Sequence, residues 1–221
     1  MTREVYHKAL KGVQDDVLNM AEMVRKAVYD SMESLRNRDI VASKRIIEED
    51  KLINKKRFDI EDKCLLLIAT QQPMAIDLRV LAAIINMVTD LERIGDHAEG
   101  IAKINISIGD EPLVKPLIDL PKMSEKGLAM LENCMKAFVN RDIEAAKMVC
   151  NEDDAVDALY DHAYGELVHI MIGDPKTIQG ATYLIWAAHN LERIADRVTN
   201  IAERIVFMVT GKMEEMNVSK Y

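Results

Sequence analysis

Aromatic residues make up only 5% of this chain, and runs alternating Val, Ile, Thr or Tyr with polar residues are missing, so a β-sheet core has little to build on. Five prolines and nine glycines in 221 residues leave few helix breakers. Cys64, Cys134 and Cys150 are odd in number, lack CxxC spacing and stand among apolar neighbours, as small buried hydrophobes in a reducing compartment do. No apolar run approaches the ~18 residues of a membrane span; CLLLIA and VLAAIINMV are too short. The start, MTREVYHKALKGVQDD, has no apolar middle section and does not read as a secretory signal. With a net charge of −8, a pI near 5.2 and no dense Lys/Arg run, the electrostatic footprint of a nucleic-acid binder is lacking. GxxxxGK[ST], GxGxxG after a strand, HExxH and GxSxG are all missing. These absences leave an acidic helical protein, expected in the cytoplasm, with no membrane insertion, no nucleic-acid partner and no recognisable catalytic motif.

What is present is apolar periodicity. At 49% hydrophobic residues the chain can bury one sizeable core or two small ones. Val13, Val17, Met20, Val24, Ala27 and Val28 keep helical three-and-four spacing, predicting a first helix over about Val5 to Asn37. After the short NRDI connection, with Asp39 as N-cap, a second helix is expected to about Ala69, carrying Ile46, Ile47, Asp50, Asn54, Phe58 and Leu65 around one broad side. Gln71-Gln72-Pro73 ends it, and a third helix follows over about Met74 to Ile108. Gly109 to Pro121 holds three of the five prolines and reads as a linker. Ser124 is then placed to cap a fourth helix to Asn140, the fifth runs over about Ile143 to Ile172, and the sixth over about Lys176 to Thr210 with Gly211 as its stop.

The pattern is written twice. Asp90 to Lys103, DLERIGDHAEGIAK, is echoed by NLERIADRVTNIAER at Asn190 to Arg204, 100 residues later, and NRDI at Asn37 returns at Asn140, 103 residues later. The chain thus reads as all-α, six long helices forming two tandem three-helix bundles: residues 1–108, a linker at 109–121, and residues 122–221.

Within each LERI block Glu92 and Asp96, or Glu192 and Asp196, stand four apart and share a helix face. Leu78, Leu81, Ile85 and Val88 lead into Glu92 on the same stripe, and Ile178, Ala181, Ile185 and Ala188 into Glu192, so acids interrupt a core-facing seam. The 103-residue offset matches Asp50 and Asn54 of the second helix to Asp153 and Asp157 of the fifth. Two outcomes are open. Oxygens from two helices converge and hold hard cations such as Mg²⁺, Mn²⁺ or iron, several carboxylates bridging more than one ion, or the acids pair with Arg93, Arg193, Arg197 and nearby lysines. Asn54, neutral where Asp157 is charged, makes the first bundle the poorer site. His97 is expected at an interface or in solvent, Trp186 in the packed interior, and the lone ExxH of Glu166 and His169 falls short of a ferritin-like di-iron set.

QQPMAIDLRVLAAI leading into DLERIGDHAEGIAK, with IWAAHNLERIADRVTNIAERIVFMVTG in the second half, closely resembles the PhoU family of phosphate-transport accessory proteins, over about Glu4 to Gly211. The resemblance implies the same six helices in two bundles. It also implies E/DxxxD motifs binding multinuclear metal clusters, which fall here on Glu92, Asp96, Asp153, Asp157, Glu192 and Asp196, with Asp50 matching and Asn54 departing. It further implies a cytoplasmic, non-catalytic adaptor that restrains the phosphate ABC transporter through its ATPase subunit and couples it to a sensor histidine kinase; a homodimer is expected. The alternative on the same acids is a metal-dependent phosphohydrolase or metal-storage bundle.

Overall fold

The two NRDI copies build identical turns. Arg38 and Arg141 take the left-handed conformation, φ 59° and 53°, that ends a helix. Asp39 and Asp142 then cap the next helices, their carboxylates accepting from Ala42 N at 2.9 Å and Ala145 N at 3.0 Å. A repeated word in the sequence is therefore a repeated backbone. The computed structural model describes residues 3–213 and 216. Its helices are α1 (Arg3–Asn37), α2 (Ile40–Gln71), α3 (Ile76–Ile108), α4 (Asp119–Asn140), α5 (Ile143–Glu152), α6 (Asp154–Gly173) and α7 (Ile178–Thr210), with a single 3₁₀ turn, Pro175–Thr177, before the last. Asp153, between α5 and α6, keeps helical angles of φ −61° and ψ −41°, so the two run on as one helix with a slip in its hydrogen-bond ladder. The expected architecture of six long helices in two three-helix bundles holds.

α1 and α2 pack on α3, and α4, α5 and α6 pack on α7; the most extensive pairing joins α3 to α7. The LERI helices are thus the back-to-back centre, and the buried apolar side chains of both bundles form one continuous cluster. Residues 100 apart exchange partners across this seam. Arg197 meets Asp90 at 3.4 Å, while the matched pair, His97 and Asn190, share a neutral hydrogen bond of 3.0 Å. Asn200 donates to Asp90 at 3.5 Å, but its counterpart Gly100 must stay small, because a Cβ there would stand 2.8 Å from Asn190 Oδ1. Burial lowers the His97 pKa, in keeping with an interface role.

The starts of α3 and α4 differ from the sequence reading. Pro73 lies in a short connection in which Gln72 and Ala75 both have φ of 47°, so α3 starts at Ile76 and not Met74. α4 starts at Asp119, with Pro121 in its first turn, where proline costs no helical hydrogen bond. Ser124, expected as its cap, is a buried residue inside the helix. The preceding strap is tied down from the first bundle, Arg38 donating to the carbonyls of Gly109 and of Glu111, the latter at 2.6 Å. The broad side assigned to α2 also needs correction. Phe58 and Leu65 are exposed, and the buried stripe is Ile46, Asp50, Ile53, Ile60, Cys64 and Leu67. Repeated steps of four drift about 40° each around a helix, whereas steps alternating between three and four stay on one face.

The bundles differ inside as well. In the first, Asn105 of α3 donates to Ser34 O at 3.0 Å and Ser43 Oγ at 2.9 Å, and Ser43 bonds Ser34 Oγ at 3.0 Å. The second replaces these three with Ile205, Ala137 and Ala146, all buried. Cys64, Cys134 and Cys150 are buried free thiols, with the pKa of Cys64 and Cys150 pushed up to about 12 by burial. Asn105→Ala should cost about 1–3 kcal/mol, since it strands buried partners, while Ser34→Ala/Ser43→Ala/Asn105→Ile, which imports the second bundle's apolar set, should be close to neutral. Urea denaturation of the two variants measures the difference.

Candidate metal centre

The four acidic pairs obey one rule. In each, the first residue is buried and the second sits at the rim: Asp50, Glu92, Asp153 and Glu192 against Asn54, Asp96, Asp157 and Asp196. The same helical drift explains this, because a residue four positions on from a core-facing one has turned about 40° towards solvent. The apolar residues leading into the motifs show where the stripe starts: Leu81, Val88, Ala181 and Ala188 are fully buried, while Leu78 and Ile178 at the helix beginnings are exposed.

In the first bundle Asp50 of α2 lies against α3 beside Gly95, where a Cβ would come within 3.2 Å of Asp50 Oδ1. Asn54 donates to Asp50 Oδ2 at 2.6 Å. Burial first, then the charges of Asp96, Glu99 and Glu92, pushes the Asp50 carboxyl up to about 6, against the pull of Asn54. Glu92 is answered by Arg57 at 3.0 Å and Arg93 at 3.4 Å, and Arg93 also holds Asp96 at 2.8 Å. Sequence reading missed Arg57 and Glu99, although both stand one further turn along the same faces.

In the second bundle Arg193 reaches Asp196 at 2.8 Å and Glu192 at 3.3 Å, and His189 stands 3.4 Å from Glu192. The position matching Arg57 is Tyr160, so Glu192 has lost a cation across the helix pair. Burial, then Asp196, then Asp157 and Asp153, raises its carboxyl to about 7 despite Arg193. Asp50 against Gly95, and Arg57 of α2 on Glu92, set the α2 acid level beside that of α3. The arginine pairing considered as the alternative is also present, at Arg93 and Arg193, whereas Arg197 turns to Asp90 in the seam. Trp186 is not packed: it is 53% exposed and stacks edge-on with Tyr183.

The donor set fits hard cations. Asp50 Oδ1 is a buried oxygen that accepts no hydrogen bond among the described residues, a costly arrangement that a cation bonded to oxygen would relieve, whereas Glu92 Oε2 and Glu192 Oε2 have ion pairs with Arg93 and Arg193 at 3.4 and 3.3 Å that a metal would have to displace. Asp50, Asn54, Glu92 and Asp96 would hold an ion in the first bundle, and Asp153, Asp157, Glu192 and Asp196 in the second. A bound hard cation would neutralise the crowded carboxylates and tie neighbouring helices together.

Fold and site together define an internally duplicated, all-helical protein whose paired carboxylates face the seams between helices. The PhoU domain profile matches residues 17–104 and 120–205. A "Phosphate-specific transport system accessory protein PhoU homolog" of Clostridium acetobutylicum is 36% identical over 98% of this chain and 100% of its own length. The crystal structure of PhoU from Pseudomonas aeruginosa superposes with a TM-score of 0.89 at 33% identity, over 94% of this chain and 100% of that one. That of the phosphate transport system regulatory protein PhoU from Streptococcus pneumoniae gives 0.89 at 28%, over 95% and 99%. The chain belongs to the PhoU family.

Asp50 and Glu192 titrate above the unfolded values of about 4, so protons bind the folded chain more tightly. Their stabilising contribution is full below about pH 4 and is lost as pH rises through about 6 for Asp50 and about 7 for Glu192. Without metal, Glu192→Gln should therefore melt higher than the parent at pH 8, by on the order of 1 kcal/mol or about 2–4 °C, and show little gain at pH 5. A Tm difference independent of pH would contradict the assignment.

Proposed function

We propose that this protein regulates phosphate uptake and phosphate-starvation signalling as a cytoplasmic, non-catalytic adaptor, restraining a phosphate ABC transporter through its ATPase subunit and relaying its state to a sensor histidine kinase. The observation that carries the reading is family membership along the whole chain, with relatives named as accessory and regulatory proteins of phosphate transport. The fold is consistent with it. No helix is long and apolar enough to cross a membrane among the described residues, and the long helices offer exposed faces for a partner. Divalent or trivalent ions such as iron, Mn²⁺ or Mg²⁺ on the two carboxylate quartets hold α2 to α3 and α5–α6 to α7 in this proposal, and so set the shape of the faces offered to partners. The working unit is taken to be a homodimer.

Tagged protein pulled down from cells grown at high and low phosphate should retain the transporter ATPase at high phosphate and release it at low phosphate. Retention of no transport component under either condition would contradict the adaptor reading. Stripping metal should weaken ATPase binding; unchanged affinity would remove metal from the mechanism. Turnover of phosphate esters by the Mn²⁺- or Fe²⁺-loaded protein that Asp157→Ala/Asp196→Ala abolishes would favour the phosphohydrolase alternative instead.

A further inference from the structure

Away from both quartets, one aspartate is repeated while its surroundings are exchanged. In the first bundle Asp16 of α1 is neutralised across the gap to α2 by two ammonium groups, Lys56 at 2.6 Å and Lys63 at 2.6 Å. Residues 103 positions later are Asp119, Leu159 and Glu166. The aspartate is kept, one lysine has become apolar, and the other has become a second carboxylate. Asp59, likewise matched, has become His162. A level of the bundle that carries two buttressing cations in one copy thus carries none from the same positions in the other.

What replaces them has ligand character. Asp119, His162 and Glu166 bring their donor atoms within 4.8 Å of one another. His162 and Glu166 are four apart on α6 and so share a face, while Asp119 comes from the first turn of α4. Asp119 is only 4% exposed, and its Oδ2 meets His162 Nδ1 at 2.9 Å. Its other oxygen has Lys122, largely in solvent, at 3.7 Å. Glu166 is paired with Lys115, which reaches in from the strap before α4. The position matching Lys115 in the first bundle is Gly12, so this ammonium is peculiar to the second copy. The Lys115 side chain is 16% exposed against 45% for Glu166, so it is the inner cation of this level, held on one carboxylate of the trio.

We propose that Asp119, His162 and Glu166 form a divalent-cation site of the zinc class, separate from the two quartets, at which the metal replaces the Lys115 ammonium on Glu166. One imidazole nitrogen with two carboxylates is a borderline donor set and suits Zn²⁺ better than the all-oxygen quartets do. Three protein ligands leave a position open towards solvent, where His162 is 63% exposed. The bound ion would clamp α4 to α6, the role that Lys56 and Lys63 fill between α1 and α2.

The test uses full-length protein stripped with EDTA and titrated with ZnCl₂ by calorimetry in phosphate-free buffer at neutral pH. Glu92→Gln/Glu192→Gln serves as the background, so that zinc on the quartets does not enter. That background should bind one equivalent of zinc. Adding His162→Ala should weaken binding about tenfold or more, His169→Ala on the same helix should leave it unchanged, and Lys115→Met should tighten it. His162 is exposed, so its variant is expected to keep the parent's circular dichroism. A background protein that binds no zinc, or a His162→Ala variant that binds as before, overturns the site. Unchanged affinity in Lys115→Met overturns the exchange with the ammonium. The variants are compared within one background, so any zinc left on the quartets is common to all of them.

Discussion

Everything in this molecule depends on the pairing of α3 with α7. Each LERI helix must serve its own bundle on one side and the other LERI helix on another, which leaves little of its circumference for solvent. That demand accounts for the small residue at the seam, Gly100, where a side chain would run into Asn190. It also accounts for the acids. A helix buried on most sides has only a narrow polar margin, and a carboxylate pair placed there must have one member inside and one at the edge.

Because the two halves are copies of one sequence, their contacts can be matched position by position, and the matched sets have diverged in charge. Asp90 with Arg197 is charged where Asn190 with His97 is neutral. The Asn105 network is polar where Ile205 and its neighbours are apolar. At the quartets the second bundle has the extra acid, Asp157 for Asn54, and lacks the arginine, Tyr160 for Arg57. Both changes make it the more electron-rich site, and they fit the raised carboxyl of Glu192. The two halves hold the same shape with different charge, which allows one to be occupied more firmly than the other.

Much of this was legible in the amino-acid sequence. The period of apolar residues and the NRDI and LERI repeats predicted six helices, two bundles and the facing acid pairs. The first helix's stripe, Val13 to Val28, is buried as spaced apart from Ala27, which is half-buried. Features that rest on packing between helices were less accessible. A step of four looked sufficient to keep Phe58 on the core face of α2, but drift over several turns moved it into solvent. Trp186 has apolar neighbours in the sequence, yet the inward face there belongs to Leu184, Ala187 and Ala188. Asp119 was hidden because three prolines made its surroundings look like linker, and His162 because His169 offered a more familiar spacing to Glu166. The offset of 103 residues, applied to Asp16 and Asp59, leads to both.

The metal proposal for this protein is that buried carboxylates from neighbouring helices hold hard cations, more firmly in the second bundle. Anomalous X-ray diffraction from crystals grown with Mn²⁺ tests this directly. The claim predicts peaks among Asp153, Asp157, Glu192 and Asp196, with weaker ones among Asp50, Asn54, Glu92 and Asp96. Anomalous density at neither quartet, with Arg93 and Arg193 still paired to the acids, would contradict it.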